Sequence, residues 1–158
     1  MNVSGTTTAE LVMSRVLDAP RELVFRAWTD PKMLSQWWGP KGFTNPVCEV
    51  EVKPGGSIYV EMRSPDGIIY PMSGEYREIV EGERIDYIAS ALDDAKVPQL
   101  EVDYSVIFSD ENGKTRITVT GRVLNVTEVG KFYLDGMNEG WSQSLDRLAE
   151  YMSGAEIR

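Results

Sequence analysis

From Val47 to Val123 apolar and polar residues alternate, and short clusters of Gly, Pro, Asn and Asp interrupt the alternation. Cys48, Val50 and Val52 alternate with Glu49, Glu51 and Lys53, and Ile58, Val60 and Met62 alternate with Tyr59, Glu61 and Arg63. Period-two patterning of this kind specifies strands with one buried face. The interruptions are too short for crossover connections. Lys53-Pro54-Gly55-Gly56, Ser64-Pro65-Asp66-Gly67, Glu81-Gly82 and Asp110-Glu111-Asn112-Gly113 are turns. Strands joined by such turns pair antiparallel. The remaining strands are predicted at Ile68–Val80, with Tyr70, Met72, Gly74 and Tyr76 on one face, and at Arg84–Ser90. Two more carry Leu100, Val102, Tyr104, Val106 and Phe108, and Thr115, Ile117, Val119, Gly121 and Val123. Ala91–Gln99 reads as a polar loop.

The flanks are different. Thr8 to Leu17 reads as a first strand, and Asp18-Ala19-Pro20 as a helix start, with Asp18 as the cap and Pro20 in the first turn. Leu23, Val24, Ala27 and Trp28 follow at helical spacing. Thr29-Asp30-Pro31 ends this helix and caps a second, which stops near Trp37-Trp38-Gly39-Pro40. Thr127 to Met152 places Val129, Phe132, Met137, Trp141, Leu145, Leu148 and Met152 mainly on one helical stripe, ended by Ser153-Gly154. The expected fold is α+β: a curved antiparallel sheet of about seven strands wrapped around a long C-terminal helix. The domain spans 8–153, between tails at 1–7 and 154–158.

Composition narrows the chemistry. The 158 residues suit one domain and include no His, which removes Ser-His-Asp and Cys-His catalysis and imidazole acid–base work. Cys48 has no partner for a disulfide or a CxxC site. With no apolar leader in Met1–Glu10, a cytoplasmic location is expected. A net charge of -9 argues against nucleic acid, and no apolar run is long enough to insert into a membrane. Neither metal nor cofactor is expected. Pro54-Gly55-Gly56 lacks the Lys and Ser/Thr of a phosphate loop. Glu75, Arg77 and Glu78 read as a solvated outer face.

Five segments carry a family resemblance. They are Arg15-Val16-Leu17-Asp18-Ala19-Pro20, Val24-Phe25-Arg26-Ala27-Trp28-Thr29-Asp30-Pro31, Trp37-Trp38-Gly39-Pro40, Pro54-Gly55-Gly56 and Gly140-Trp141-Ser142-Gln143-Ser144-Leu145-Asp146-Arg147-Leu148. In this order they resemble the activator-of-heat-shock-protein-90-ATPase homologue-like family, within the START/SRPBCC superfamily. The resemblance implies the helix-grip fold of the birch pollen allergen, with two short helices closing one end. It also implies a cavity between sheet and helix for a small hydrophobic ligand. The cochaperones that give the family its name carry an additional N-terminal domain, for which no room precedes Thr8.

The candidate ligand-binding residues are Trp38, Phe43, Tyr70, Met72, Tyr104, Val106, Val119, Met137, Trp141 and Leu145. The strand residues among them should face the helix by alternation, and Met137, Trp141 and Leu145 should face the sheet. Trp37 and Trp38 are adjacent and cannot share a helix face, so one packs inward and the other sits at the cavity mouth, as a gate or as a plug. Gly130, Gly136 and Gly140 each cost about 1 kcal/mol relative to Ala in a helix interior. They imply close approach of a ligand, a break near Gly136, or a packing interruption. Tyr104 becomes a proton donor to an oxygenated ligand if a carboxylate such as Glu61 or Asp103 lies beside it, although alternation puts Asp103 on the opposite face. The expected function is intracellular binding of a lipid-like, aromatic or polyketide-like ligand, by a monomer or weak homodimer and without catalytic residues. The alternatives are a cyclase- or dehydratase-like enzyme using the same cavity, and a chaperone-contacting module.

Overall fold

The computed structural model describes residues 10–155. The order is β1 (Glu10–Leu17), α1 (Arg21–Thr29), α2 (Pro31–Trp37), β2 (Thr44–Val50), β3 (Ser57–Arg63), β4 (Ile69–Val80), β5 (Arg84–Leu92), β6 (Pro98–Glu111), β7 (Lys114–Val126), α3 (Gly130–Asp135) and α4 (Met137–Ala155). The seven strands form one sheet in the order β1-β7-β6-β5-β4-β3-β2, and every neighbouring pair is antiparallel. The fold is α+β and matches the helix grip that the patterning and the resemblance imply. Thr8 and Ala9 of the expected first strand lie outside the described residues.

Local chemistry explains most boundaries. Asp30 caps α2, its Oδ1 accepting from Lys32 N at 2.9 Å. Asp18 does not cap α1. Pro20 takes the N-cap position in an extended conformation, with no side-chain hydrogen bond to the helix. β5 runs to Leu92 and β6 begins at Pro98, so the expected polar loop shrinks to 93–97. Asp93 holds that loop, accepting from Ala95 N and Val97 N at 2.9 Å each. The C-terminal segment is two helices, with Gly136 as the C-cap of α3. Ser153 and Gly154 lie inside α4 and do not end it.

The register sorts the inner face into cross-strand rows. One joins Tyr76, Tyr87, Tyr104, Gly121 and Leu11. On one side of it lie Ile85, Val106 and Val119, and then Phe108 and Ile117. There α1 covers the sheet, with the Phe25 and Phe108 rings 5.2 Å apart. Leu145, Leu148 and Met152 of α4 are fully buried in the same continuous core. On the other side the rows hold Gly74, Ala89 and Val102, then Met72, Ala91 and Leu100. Their central strands offer small side chains, and the face is not filled. Register shifts in β4 between Tyr76 and Glu78, and between β6 and β7 at Glu101/Val102, accompany the bending of the sheet.

Gly121 makes room for the ring at the boundary between the two halves. A Cβ there would stand 2.9 Å from Tyr104 Cε1 and 3.2 Å from Val102 Cγ1. Gly121→Val should therefore destabilise the protein by about 1–3 kcal/mol despite the higher strand preference of Val. The urea midpoint should fall and the near-ultraviolet dichroism of Tyr104 and Trp141 should change. An unchanged midpoint would refute the packing argument.

Candidate functional site

The unfilled half of the inner face is an open-mouthed hollow of about 540 Å³. Its floor includes Met72, Ala89, Ala91, Leu100 and Val102. Its roof is Tyr133, Gly136, Met137, Gly140 and Trp141, and Trp38, Gly39, Pro40 and Phe43 close one side. Seven of the ten sequence candidates line it: Trp38, Phe43, Tyr70, Met72, Tyr104, Met137 and Trp141. Val106, Val119 and Leu145 do not. Each has no exposed surface, because the half of the sheet beyond Tyr104 is packed solid under α1 and α4. Alternation gave their face correctly, but it carried no information on where the helix leaves the sheet.

All four tryptophans meet at the closed end. Trp37 points into the core and its indole N–H donates to Ala27 O at 3.0 Å. Trp38 turns to the hollow, 5.5 Å from Trp37, 5.9 Å from Trp28 and 5.4 Å from Trp141. Trp28 and Trp141 stack at 6.0 Å with planes 11° apart. The mouth has its own aromatic arc, Phe43 to Tyr70 at 6.0 Å and Tyr70 to Tyr133 at 6.4 Å. Phe132 stands beside it and is 69% exposed, which makes α3 an apolar rim.

Arg147 fixes the Trp38 side. Its Nη1 donates to the carbonyls of Trp38, Gly39 and Pro40 at 2.9, 3.0 and 3.0 Å, and its Nη2 donates to Gln36 O at 3.2 Å. These are carbonyls released at the end of α2, where a cation is favoured. Desolvation lowers the guanidinium pKa, yet the group remains charged at neutral pH. Asn45 Nδ2 also donates to Trp38 O, at 2.9 Å, and Lys41 N donates to Gln143 Oε1 at 3.0 Å. The loop after α2 is thus bolted to α4. No sequence signal exposes this role of Arg147, whose partners lie more than 100 residues away.

The three helix glycines have three different causes. A Cβ on Gly130 would collide with the backbone carbonyl of Gln99, so Gly130 is a packing requirement. Gly136 is the break between α3 and α4. Gly140 faces the hollow, where an added Cβ would meet only Pro40 Cγ, at 3.9 Å. Sequence reading also missed Ala89, Ala91 and Tyr133. The available signal was the change in β5 from large inward residues, Ile85 and Tyr87, to small ones.

Polar groups in the hollow are few. Trp141 Nε1 donates to Tyr104 Oη at 3.2 Å, and Tyr104 Oη lies 3.8 Å from Met137 Sδ. Burial pushes the Tyr104 phenol up to about 12, so it is a neutral hydrogen-bond donor at physiological pH. No carboxylate adjoins it. Glu61 accepts from Tyr59 Oη at 2.6 Å, and Asp103 is on the other face, 3.3 Å from Arg122 Nη2. Beyond Trp38 and Met72 a void of about 20 Å³ borders Trp28 and Tyr87. The Trp28 indole N–H and Tyr87 hydroxyl are buried without partners among the described residues, and the volume suits one water. Burial raises the thiol of half-buried Cys48 to about 11, so it stays protonated. Among the described residues no cluster of three His, Cys, Asp or Glu is placed to hold a metal, and no helix is long and apolar enough to cross a membrane.

A larger depression of about 690 Å³ lies on the opposite face, among Arg77, Glu78, Asp86, Asp103 and Arg122. Its charges pair with one another, Arg77 and Arg122 on Asp103, and Arg84 Nε 3.2 Å from Asp86 Oδ2. It is the solvated side of the sheet. The apolar hollow is the candidate site.

A curved sheet holding a C-terminal helix over an apolar hollow defines a helix-grip protein. The family model described as activator of Hsp90 ATPase homolog 1-like protein matches residues 18–153, and the chain belongs to that family. A crystal structure of a Nitrosomonas europaea protein is 26% identical, covers 99% of this chain and 100% of its own, and superposes with a TM-score of 0.79. A Chromobacterium violaceum protein is 30% identical over 90% of this chain and 96% of its own, with a TM-score of 0.72. A solution structure from Arthrobacter aurescens is 21% identical over 92% of this chain and 86% of its own, with a TM-score of 0.81, a likeness of fold alone. No curated protein matches the chain.

Two outcomes follow. Arg147→Met should lose about 1–2 kcal/mol in chemical denaturation, since charged hydrogen bonds to carbonyls are removed from a partly solvated site. A loss below about 0.3 kcal/mol would show that the loop holds itself. The second concerns alkaline pH. The folded Tyr104 keeps its proton up to about 12, whereas an unfolded tyrosine releases it near 10.0. Its stabilising contribution is therefore complete below about pH 10 and is lost as pH climbs toward 12. Tyr76 and Tyr87 are shifted the same way by burial. Urea midpoints should fall through that window, and less steeply in Tyr104→Phe; equal slopes would contradict the shift.

Proposed function

We propose that this protein binds a small hydrophobic ligand in the hollow between its sheet and its C-terminal helix. The observation that carries this reading is the hollow itself. It is apolar and aromatic-walled, and its volume of about 540 Å³ lies within the range of small-molecule sites, roughly 300–1,000 Å³. Gly140 supports it independently. An added Cβ would make only an ordinary contact with Pro40 Cγ, at 3.9 Å, yet Gly140 occupies a helix position where Ala would be about 1 kcal/mol more favourable. Close passage of a ligand over the backbone accounts for that choice. The alternative of a cyclase or dehydratase gains less support. Among the described residues the carboxylate along the lining is that of Asp135, exposed at the mouth, and Tyr104 is tuned away from proton transfer near neutrality.

The test is a fluorescence titration with the uncharged probe N-phenyl-1-naphthylamine. Saturable one-to-one binding is expected. Gly140→Leu should fill the hollow from a position with open space, weakening the probe at least about tenfold, or roughly 1.4 kcal/mol, while thermal stability is kept or raised. Absence of saturable binding to the wild type, or equal binding to the filled variant, would refute the reading.

A further inference from the structure

We infer that the ligand is an uncharged aromatic molecule carrying a hydrogen-bond-accepting oxygen, received by the hydroxyl of Tyr104. The inference rests on the carrier reading above and specifies its chemistry. Tyr104 and Trp141 are both buried, and both line the hollow. An indole nitrogen only donates, so the 3.2 Å contact fixes the direction: Trp141 gives its proton to Tyr104 Oη. The phenolic proton must then find another acceptor. What it has is the Met137 thioether at 3.8 Å, a weak one. A buried donor held this poorly gains from any carbonyl, ether or hydroxyl oxygen brought within reach. Donation from Trp141 also polarises the phenol and strengthens it as a donor.

Charge excludes the other common class of hydrophobic ligand. Among the described residues no Lys or Arg lines the hollow. The charged residue that does is Asp135; at the mouth burial raises the pKa of Tyr133, and Tyr70 and then the acids Asp94 and Asp93 add to that rise. A fatty-acid carboxylate would pass these acids and then lie in an apolar site with no counter-charge, which is strongly unfavourable. The walls favour rings over chains. Trp38, Phe43, Tyr70, Tyr133 and Trp141 present faces and edges against which a flat π-system packs with more than its area alone.

The experiment uses three ligands of one size: 2-acetylnaphthalene, 2-ethylnaphthalene and 2-naphthoate. Each is titrated as a competitor against N-phenyl-1-naphthylamine on the full chain at pH 8. Tyr104→Phe should weaken the ketone about three- to tenfold and leave the hydrocarbon within about twofold, the signature of one hydrogen bond. Met137→Leu removes the competing acceptor and should shift the ratio of ketone to hydrocarbon affinity about twofold toward the ketone. This second variant keeps the test decisive if Tyr104→Phe folds poorly. The carboxylate should not displace the probe. Equal effects of Tyr104→Phe on ketone and hydrocarbon, a ketone-to-hydrocarbon ratio that is unchanged or lowered in Met137→Leu, or displacement by naphthoate would overturn the inference while leaving the carrier reading intact. Failure of the probe and of all three ligands to bind would remove both.

Discussion

The hollow exists because four indoles hold two layers apart. Trp28 on α1, Trp37 and Trp38 at the end of α2, and Trp141 on α4 interlock at 4.8 to 6.0 Å. Such rings are large and rigid, and their mutual contacts add about 0.5–1.5 kcal/mol per pair beyond the area they bury. They form a pillar at one edge of the open half of the sheet. α4 lies low where Leu145, Leu148 and Met152 bury fully, and the pillar stands at the start of that contact. Beneath the raised end the strands carry Gly74, Ala89 and Ala91. Small residues below and large ones at the side leave space that neither layer can close without unstacking the indoles.

The same arrangement decides what the space can do chemically. Acid–base chemistry near neutral pH needs a group whose pKa has been brought toward neutrality. Here burial moves Tyr104 in the other direction, and among the described residues no carboxylate, imidazole or ammonium enters the interior of the hollow. What remains is shape, apolar surface and a directed hydroxyl. These suffice to bind and orient a molecule. The clamp from Arg147 to the loop after α2 fixes the shape of that space, holding one of its sides to α4.

Much of the architecture was legible because period-two patterning and short turns leave few alternatives. Asp110-Glu111-Asn112-Gly113 could only be a tight connection, and β6 and β7 pair directly across it, Glu111 opposite Lys114. Errors arose where local propensity was asked to decide alone. Asp18 looked like a cap, but Pro20, with its fixed φ of -71°, supplies the helix entrance without one. Ala91 and Leu92 looked like loop because a small residue precedes an acidic pair; pairing with β6 keeps both in the strand. The site was legible as a face but not as a depth. Val106 and Val119 share the inner face with Tyr104, and only the register shows them one row too far along, beneath the filled half. Depth depends on how two distant elements pack, and Arg147 with its carbonyls is the extreme case.

The rows on either side of Tyr104 therefore do different work. Beyond it Val106, Val119, Ile117, Leu145 and Leu148 are wholly buried and interlocked, and their substitution is a matter of stability. Before it Met72, Ala89, Ala91, Met137 and Gly140 border open space, where added volume meets no packed neighbour on one side. Ala91, Met137 and Gly140 border it half-buried, whereas Leu100, Val102 and Trp141 line it and belong to the buried core as well. Tyr104 is at the boundary, held by Trp141 and given room by Gly121, and it is the point where the filled half presents a polar atom to the open one.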